Sequence, residues 1–203
     1  MAALALAPIT VRAQGDAQDL SRNPKTRYEA RLTRWYASLQ FGAGYLESNT
    51  AGQPGLGGTK LAWALGGGLN VTPQWRLGLE YGGQMVHGVT NSYGQSYTVD
   101  TSGTGLTRTF AVAQWYPSTT SGWFLRGGGG LADLSDRRVQ TPSGHGTGYT
   151  AGLGWDSPPA SAVALTVLLA YNWGTLPDAV SGTVTSTGRS FNAPELRVGI
   201  AWH

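Results

Sequence analysis

From Trp35 onward the chain alternates bulky apolar residues with small or polar ones, and one segment after another carries an aromatic residue beside a tight turn. The odd positions read Trp35, Ala37, Leu39, Phe41, Ala43 and Tyr45, against Tyr36, Ser38, Gln40, Gly42 and Gly44 on the even ones. A strand sends these two sets to opposite faces, so the period of two predicts a sheet with one greasy side. Of eight tryptophans, Trp35, Trp75, Trp115, Trp123, Trp155 and Trp202 sit where such segments meet short turns. An indole ring is best placed where hydrocarbon meets headgroup. A tryptophan band at the end of an apolar sheet face therefore predicts a membrane-spanning β-barrel.

The same alternation recurs at 61–71, 75–85, 123–131, 149–155, 163–173 and 196–202. With the segment at 35–45 and a fourth at 106–116, this makes eight strands, which 203 residues accommodate in one domain at about 9–11 residues per span. The fourth segment has apolar residues on both parities, Phe110 and Val112 on one and Ala111, Ala113 and Trp115 on the other, so its facing is left open. Connections near Pro73, Pro117 and Pro158 are short. Those at 47–59, 86–104, 134–147 and 174–190 are long and rich in Gly, Ser, Thr and Asn. Short periplasmic turns and long extracellular loops are the plan of an outer-membrane barrel. Tyr45, Tyr81, Tyr149, Tyr171 and Trp173 fall near the long-loop ends and predict a second girdle.

Other architectures fit less well. A spanning helix needs about 20 apolar residues, and the longest run, 160–173, contains Ser161, Thr166 and Asn172. A soluble barrel would carry charge on its second face. Here only 12% of residues are charged, 31 are glycine, and the second face is mostly Gly, Ala, Ser, Thr and Gln. There are no cysteines for disulfides or thiolate metal sites. The net charge of +3 is concentrated before the first strand, at Arg12, Arg22, Lys25, Arg27, Arg31 and Arg34, without a nucleic-acid-binding module. Residues 1–14 read as the end of a secretory signal, with small residues around Val11-Arg12-Ala13, and 15–34 as a basic periplasmic segment.

The chain resembles the small eight-stranded outer-membrane barrels of Gram-negative bacteria, of the OmpA and OmpX type, over residues 35–203. The paired girdles, the segment Gln114-Trp115-Tyr116-Pro117 and the closing segment 195–202 carry the likeness. Alternating apolar residues ending in Trp202 are similar to the C-terminal signal read by the barrel-assembly machinery, although His203 follows. The resemblance implies an all-β, closed, antiparallel transmembrane barrel in the bacterial outer membrane, acting as a monomer.

An eight-stranded barrel is just wide enough for its own side chains. Arg76, Glu80, Arg126 and Arg197, with Glu195 as a further candidate, are therefore expected to pair inside, and Arg76 and Glu80 to find partners on neighbouring strands. Lys60, Arg108, Arg137, Arg138 and Arg189 are expected near the outer rim, where guanidinium and ammonium groups could hold lipopolysaccharide phosphates. The glycine run at 52–60 lacks the Lys-Ser/Thr order of a phosphate loop, and His87 and His145 lack metal-ligand spacing, so no cofactor or metal is expected. The expected role is structural or interactive: envelope integrity, with loops touching lipopolysaccharide or other surfaces. The alternatives are a lipid A-modifying acyltransferase or deacylase, drawing on loop residues such as His87, His145, Ser92, Ser96, Ser143, Asp100, Asp133 and Asp136, and a narrow gated pore.

Overall fold

Eight long strands form where the alternation predicts them: β1 (Trp35–Asn49), β2 (Leu56–Thr72), β3 (Trp75–Val86), β4 (Gly105–Trp115), β5 (Trp123–Ser135), β6 (Gly146–Asp156), β7 (Val163–Leu176) and β8 (Arg189–Trp202). They come from a computed structural model that describes residues 35–49, 51, 56–86, 89–91, 96–97, 105–119, 121–135, 145–157, 163–181 and 184–202. The signal and basic segments expected at 1–34 lie outside these, as do His87, Asp100, Arg137, Arg138, Ser143 and His203.

Each strand pairs antiparallel with its sequence neighbours, and β1 also pairs with β8, so the sheet closes. Following paired residues once around the wall leads from Ser38 through Gly66, Glu80, Phe110, Gly130, Gly148, Gly174 and Phe191 to Ser48. The return point lies ten residues beyond the start. That stagger is the barrel's shear, and with eight strands it tilts them by roughly 40° from the axis. Full closure leaves the spanning wall with no unpaired edge, which lets such a sheet sit in a solvent without hydrogen-bonding partners.

The glycine-rich stretch at 47–59, expected as a loop, is instead mostly strand. Tyr45 pairs with Thr59, Leu46 with Gly58, Glu47 with Gly57 and Ser48 with Leu56. The first hairpin thus continues as a ladder, and Val89–Asn91 and Ser96–Tyr97 add to its side. A second small hairpin, Ala179–Ser181 with Val184–Ser186, occupies part of the 174–190 connection. At the other end the turn at Pro73 is tight as expected. Thr72 Oγ1 accepts the backbone N–H groups of Gln74 at 3.3 Å and Trp75 at 3.1 Å, closing the reversal.

The fourth strand's facing is now defined. Leu106, Arg108, Phe110, Val112 and Gln114 point into the lumen and are buried. Thr107, Thr109, Ala111, Ala113 and Trp115 face outward. Its parity is blurred because apolar side chains are needed inside as well as outside. Leu46, Leu106, Ala132, Leu176, Phe191 and Ala193 form an apolar plug toward the long-loop end, with Leu134 packed against it. Tyr116, Phe124, Leu168 and Ala170 form a second cluster toward the short turns, with the Tyr116 and Phe124 rings 5.3 Å apart.

Inward glycines make room for these rings. A Cβ on Gly148 would stand 2.9 Å from Phe110, and one on Gly154 would run into the Phe124 ring. Gly154→Val is therefore expected to lower the unfolding free energy by about 1–3 kcal/mol through overpacking. In a Phe124→Ala background the same valine should stabilise, because it enters the space the ring vacates. Urea unfolding of the four proteins in detergent checks this, and an equal effect in both backgrounds would disprove the steric account.

Candidate functional site

The lumen holds the main concentration of charge among the described residues. Glu80, on β3, forms ion pairs with Arg126 of β5 at 2.7 Å and Arg197 of β8 at 3.2 Å, both at Oε1. Its Oε2 accepts a second Arg197 nitrogen at 3.2 Å. Glu195, on β8, accepts hydrogen bonds from Arg108 of β4 at 2.6 Å and the Gln84 amide at 3.2 Å, and stands 3.3 Å from Arg197 Nε as an ion pair. Nearer the short turns Asp156, on β6, takes Arg76 of β3 at 3.0 Å, the Tyr116 hydroxyl at 2.7 Å and the Thr166 hydroxyl at 2.8 Å. The Arg76 guanidinium also lies over the Tyr116 ring, 4.8 Å from its centroid, and 5.4 Å from that of Tyr36.

Arg76, Glu80, Arg126 and Arg197 are all buried in this network. The expectation that Arg76 and Glu80 pair with neighbouring strands is corrected. The strands flanking β3 are β2 and β4, whereas the partners stand on β5, β6 and β8. Long side chains span the lumen because a barrel of this size brings opposite walls within their reach. Arg108 and Glu195 lie four strands apart, on opposite walls.

Arg108 and Lys60 are a second correction. Both were expected at the outer rim, yet both are buried on the inward parity, with Arg108 tied to Glu195. Neither reaches the outer surface, since each shares its strand's inner face: Arg108 with Phe110, Lys60 with Ala62 and Ala64. Asp156 was missed in the sequence. It shared the even parity of Thr150, Gly152 and Gly154, which was the available signal, but its position beside a turn disguised it. Of the expected rim cations with a described side chain, Arg189 remains at that end, half-buried, with Nη1 donating to the Pro177 carbonyl at 3.3 Å.

The outer wall reverses this chemistry. Leu65, Leu69, Leu77, Leu79, Leu165, Leu169, Val198 and Ile200 project outward, with Leu79 64% exposed. In water an apolar surface this continuous would drive association. Exposed or half-exposed aromatic rings stand at both ends of it. Trp35, Trp75, Trp115, Trp123, Trp155 and Trp202 lie at the short-turn end, with Trp75 and Trp115 6.3 Å apart. Tyr45, Tyr81, Tyr149, Tyr171 and Trp173 lie toward the long loops, Tyr171 stacking on Trp173 at 5.7 Å. Trp63, which the sequence reading left out, joins them edge-on to Tyr81 at 5.3 Å. Along β8 the two levels are eight residues apart, from Trp202 to Pro194 opposite Tyr171. That is about 27 Å of strand, or roughly 20 Å along the axis. The only charged outward-facing side chains described on the strands, Glu47 and Asp133, lie beyond the aromatic level at the long-loop end. Asp133 meets His145 there, with Nδ1 2.9 Å from Oδ1.

No protein-family model matches the sequence, and no curated protein is similar to it. Solved structures are similar in fold. Ail, the attachment invasion locus protein of Yersinia pestis, superposes with a TM-score of 0.51 at 13% identity, over 83% of this chain and 99% of Ail. Neisserial surface protein A gives 0.50 at 16% identity, over 83% of this chain and 96% of that one. The fold is that of a small outer-membrane β-barrel. At these identities the likeness is one of architecture: a closed, antiparallel, eight-stranded transmembrane barrel without helices among the described residues.

Proposed function

We propose that this chain is a closed-lumen barrel of the bacterial outer membrane with a structural and interactive role. The observation that carries the reading is the pairing of a filled, cross-braced lumen with an apolar outer wall bounded by two aromatic rings. Side chains from opposite walls meet across the lumen, one apolar cluster fills it toward the long loops, and another packs among the ion pairs through Tyr116, which argues against a conducting path. The two rings act as interfacial girdles, and the outward face of β8, with Leu196, Val198, Ile200 and Trp202, is the segment offered to the barrel-assembly machinery. Arg189, with Arg137 and Arg138 in a segment outside the described residues, supplies the contact with lipopolysaccharide phosphates.

The His145–Asp133 pair supports a second reading, a lipid-modifying enzyme, because a carboxylate-oriented imidazole can serve as a general base. Among the described residues no hydroxyl bonds this histidine to complete a nucleophile. One experiment separates the readings: purify the wild type and an Arg137→Ala/Arg138→Ala/Arg189→Ala variant from a Gram-negative host, and measure both the amount and the acyl pattern of the lipopolysaccharide recovered. The structural reading expects intact lipid A and severalfold less lipopolysaccharide on the variant. Unchanged amounts overturn the phosphate contact. Lipid A lacking an acyl chain in a wild-type-dependent way supports the enzyme instead.

A further inference from the structure

The outer wall is not evenly filled. Across β3, β4 and β5 the residues nearest the short turns are bulky, with Trp75 paired to Trp115 and Trp115 to Leu125. One step up, Leu77 faces Ala113 and Ala113 faces Gly127, so bulk drops sharply at the last two positions. The result is a cleft of about 350 Å³ lined by Trp75, Ala113, Trp115, Leu125, Arg126 and Gly127. Its walls are two indoles and a leucine, and its floor is an alanine methyl and bare backbone. Arg126 contributes to the lining, but its guanidinium is held at Glu80 on the lumenal side, 2.7 Å away. The recess offers almost no polar partners to a water molecule.

We propose that this cleft seats one acyl chain of a phospholipid from the periplasmic leaflet. The inference rests on the membrane reading above. The cleft opens onto the same apolar wall that faces hydrocarbon and lies at the short-turn girdle, so the chain that fills it is continuous with the lipid already covering that wall. The geometry also matches a two-part ligand. An acyl chain occupies the recess beside Ala113 and Gly127, while the indoles of Trp75 and Trp115 stand at the level where an N–H can meet a headgroup oxygen.

Gly127 makes the proposal testable, because a Cβ built there meets nothing within 4 Å and a side chain can start from the floor without a backbone clash. Gly127→Leu fills the cleft from its floor. Ala37→Leu places the same side chain on the outward face of β1, four strands from β5 and at the same end of the barrel. Each protein is first scored for a gel mobility that changes on boiling, then reconstituted into vesicles of palmitoyl-oleoyl phosphatidylethanolamine and phosphatidylglycerol, extracted in mild detergent and weighed by native mass spectrometry. The wild type and Ala37→Leu are expected to retain one phospholipid. Gly127→Leu should retain it about tenfold less, the factor that corresponds to ~1.4 kcal/mol. Equal retention by all three, equal loss from both variants, or no phospholipid on the wild type overturns the site while the boiling test still supports a membrane barrel. A wild-type dimer that Gly127→Leu splits overturns it in favour of a second copy of the chain. A protein that stays soluble without detergent instead overturns the membrane reading on which the site rests.

Discussion

Glu80→Ala is expected to destabilise the barrel by about 3–5 kcal/mol, the loss typical of breaking a buried ion pair from one side. Glu80 is the shared anion for Arg126 and Arg197, at 2.7 Å and 3.2 Å. Without it Arg126 has no described acid, and Arg197 keeps only Glu195 at 3.3 Å, which Arg108 already occupies at 2.6 Å. The cost comes less from the lost attraction than from a guanidinium left buried and unpaired. Replacing the ions together should therefore recover much of the loss. A Glu80→Met/Arg126→Met pair, which removes a buried acid and a buried base at once, is expected to be more stable than Glu80→Ala alone. Urea titration of the refolded proteins, followed by tryptophan fluorescence, measures both. Wild-type stability in the single variant would mean that water reaches Glu80 and that the lumen is open.

Val198→Arg should cost about 2–4 kcal/mol, as expected for a cation on the lipid face near mid-depth of a transmembrane barrel. Val198 faces outward midway between Trp202 and Pro194, pairs with Val167 and Phe41, and is 47% exposed. A half-exposed valine on a soluble barrel would accept arginine within about 0.5 kcal/mol. Val71→Arg is the internal control: it is also outward and 58% exposed but lies beside the short turn. Its cost should be about 0–1 kcal/mol, because an interfacial arginine reaches the headgroups. The contrast between these two positions reads the depth profile of the wall. Equal small costs at both would show that this surface is not embedded in hydrocarbon.

The two predictions draw on different levels of information. Val198 was legible in the chain: its alternation with Arg197 and Gly199 is a property of one backbone and survives whatever the strand packs against. The same local rule identified Arg76, Glu80, Arg126 and Arg197 as inward-facing, together with both aromatic rings. It faltered where the inner face is itself apolar, as at Leu106, Phe110 and Val112, because period two cannot tell a greasy lumen from a greasy exterior. That ambiguity on β4 also sent Arg108 to the wrong place. Lys60 was misplaced for another reason: the glycine-rich stretch around it reads as a loop, and only the continued pairing of β1 with β2 shows it to be strand.

Strand number, the faces of every strand but the fourth and the ends rich in tryptophan were determined by the sequence alone, since each follows from side chains a few residues apart. Which charge meets which was decided only by the tertiary structure. Glu80 reaches Arg126 and Arg197, and Arg108 reaches Glu195, because eight strands with a stagger of ten residues set both the width of the lumen and the height at which each side chain enters it. Neither quantity belongs to any single strand. Both arise only when the last strand closes on the first.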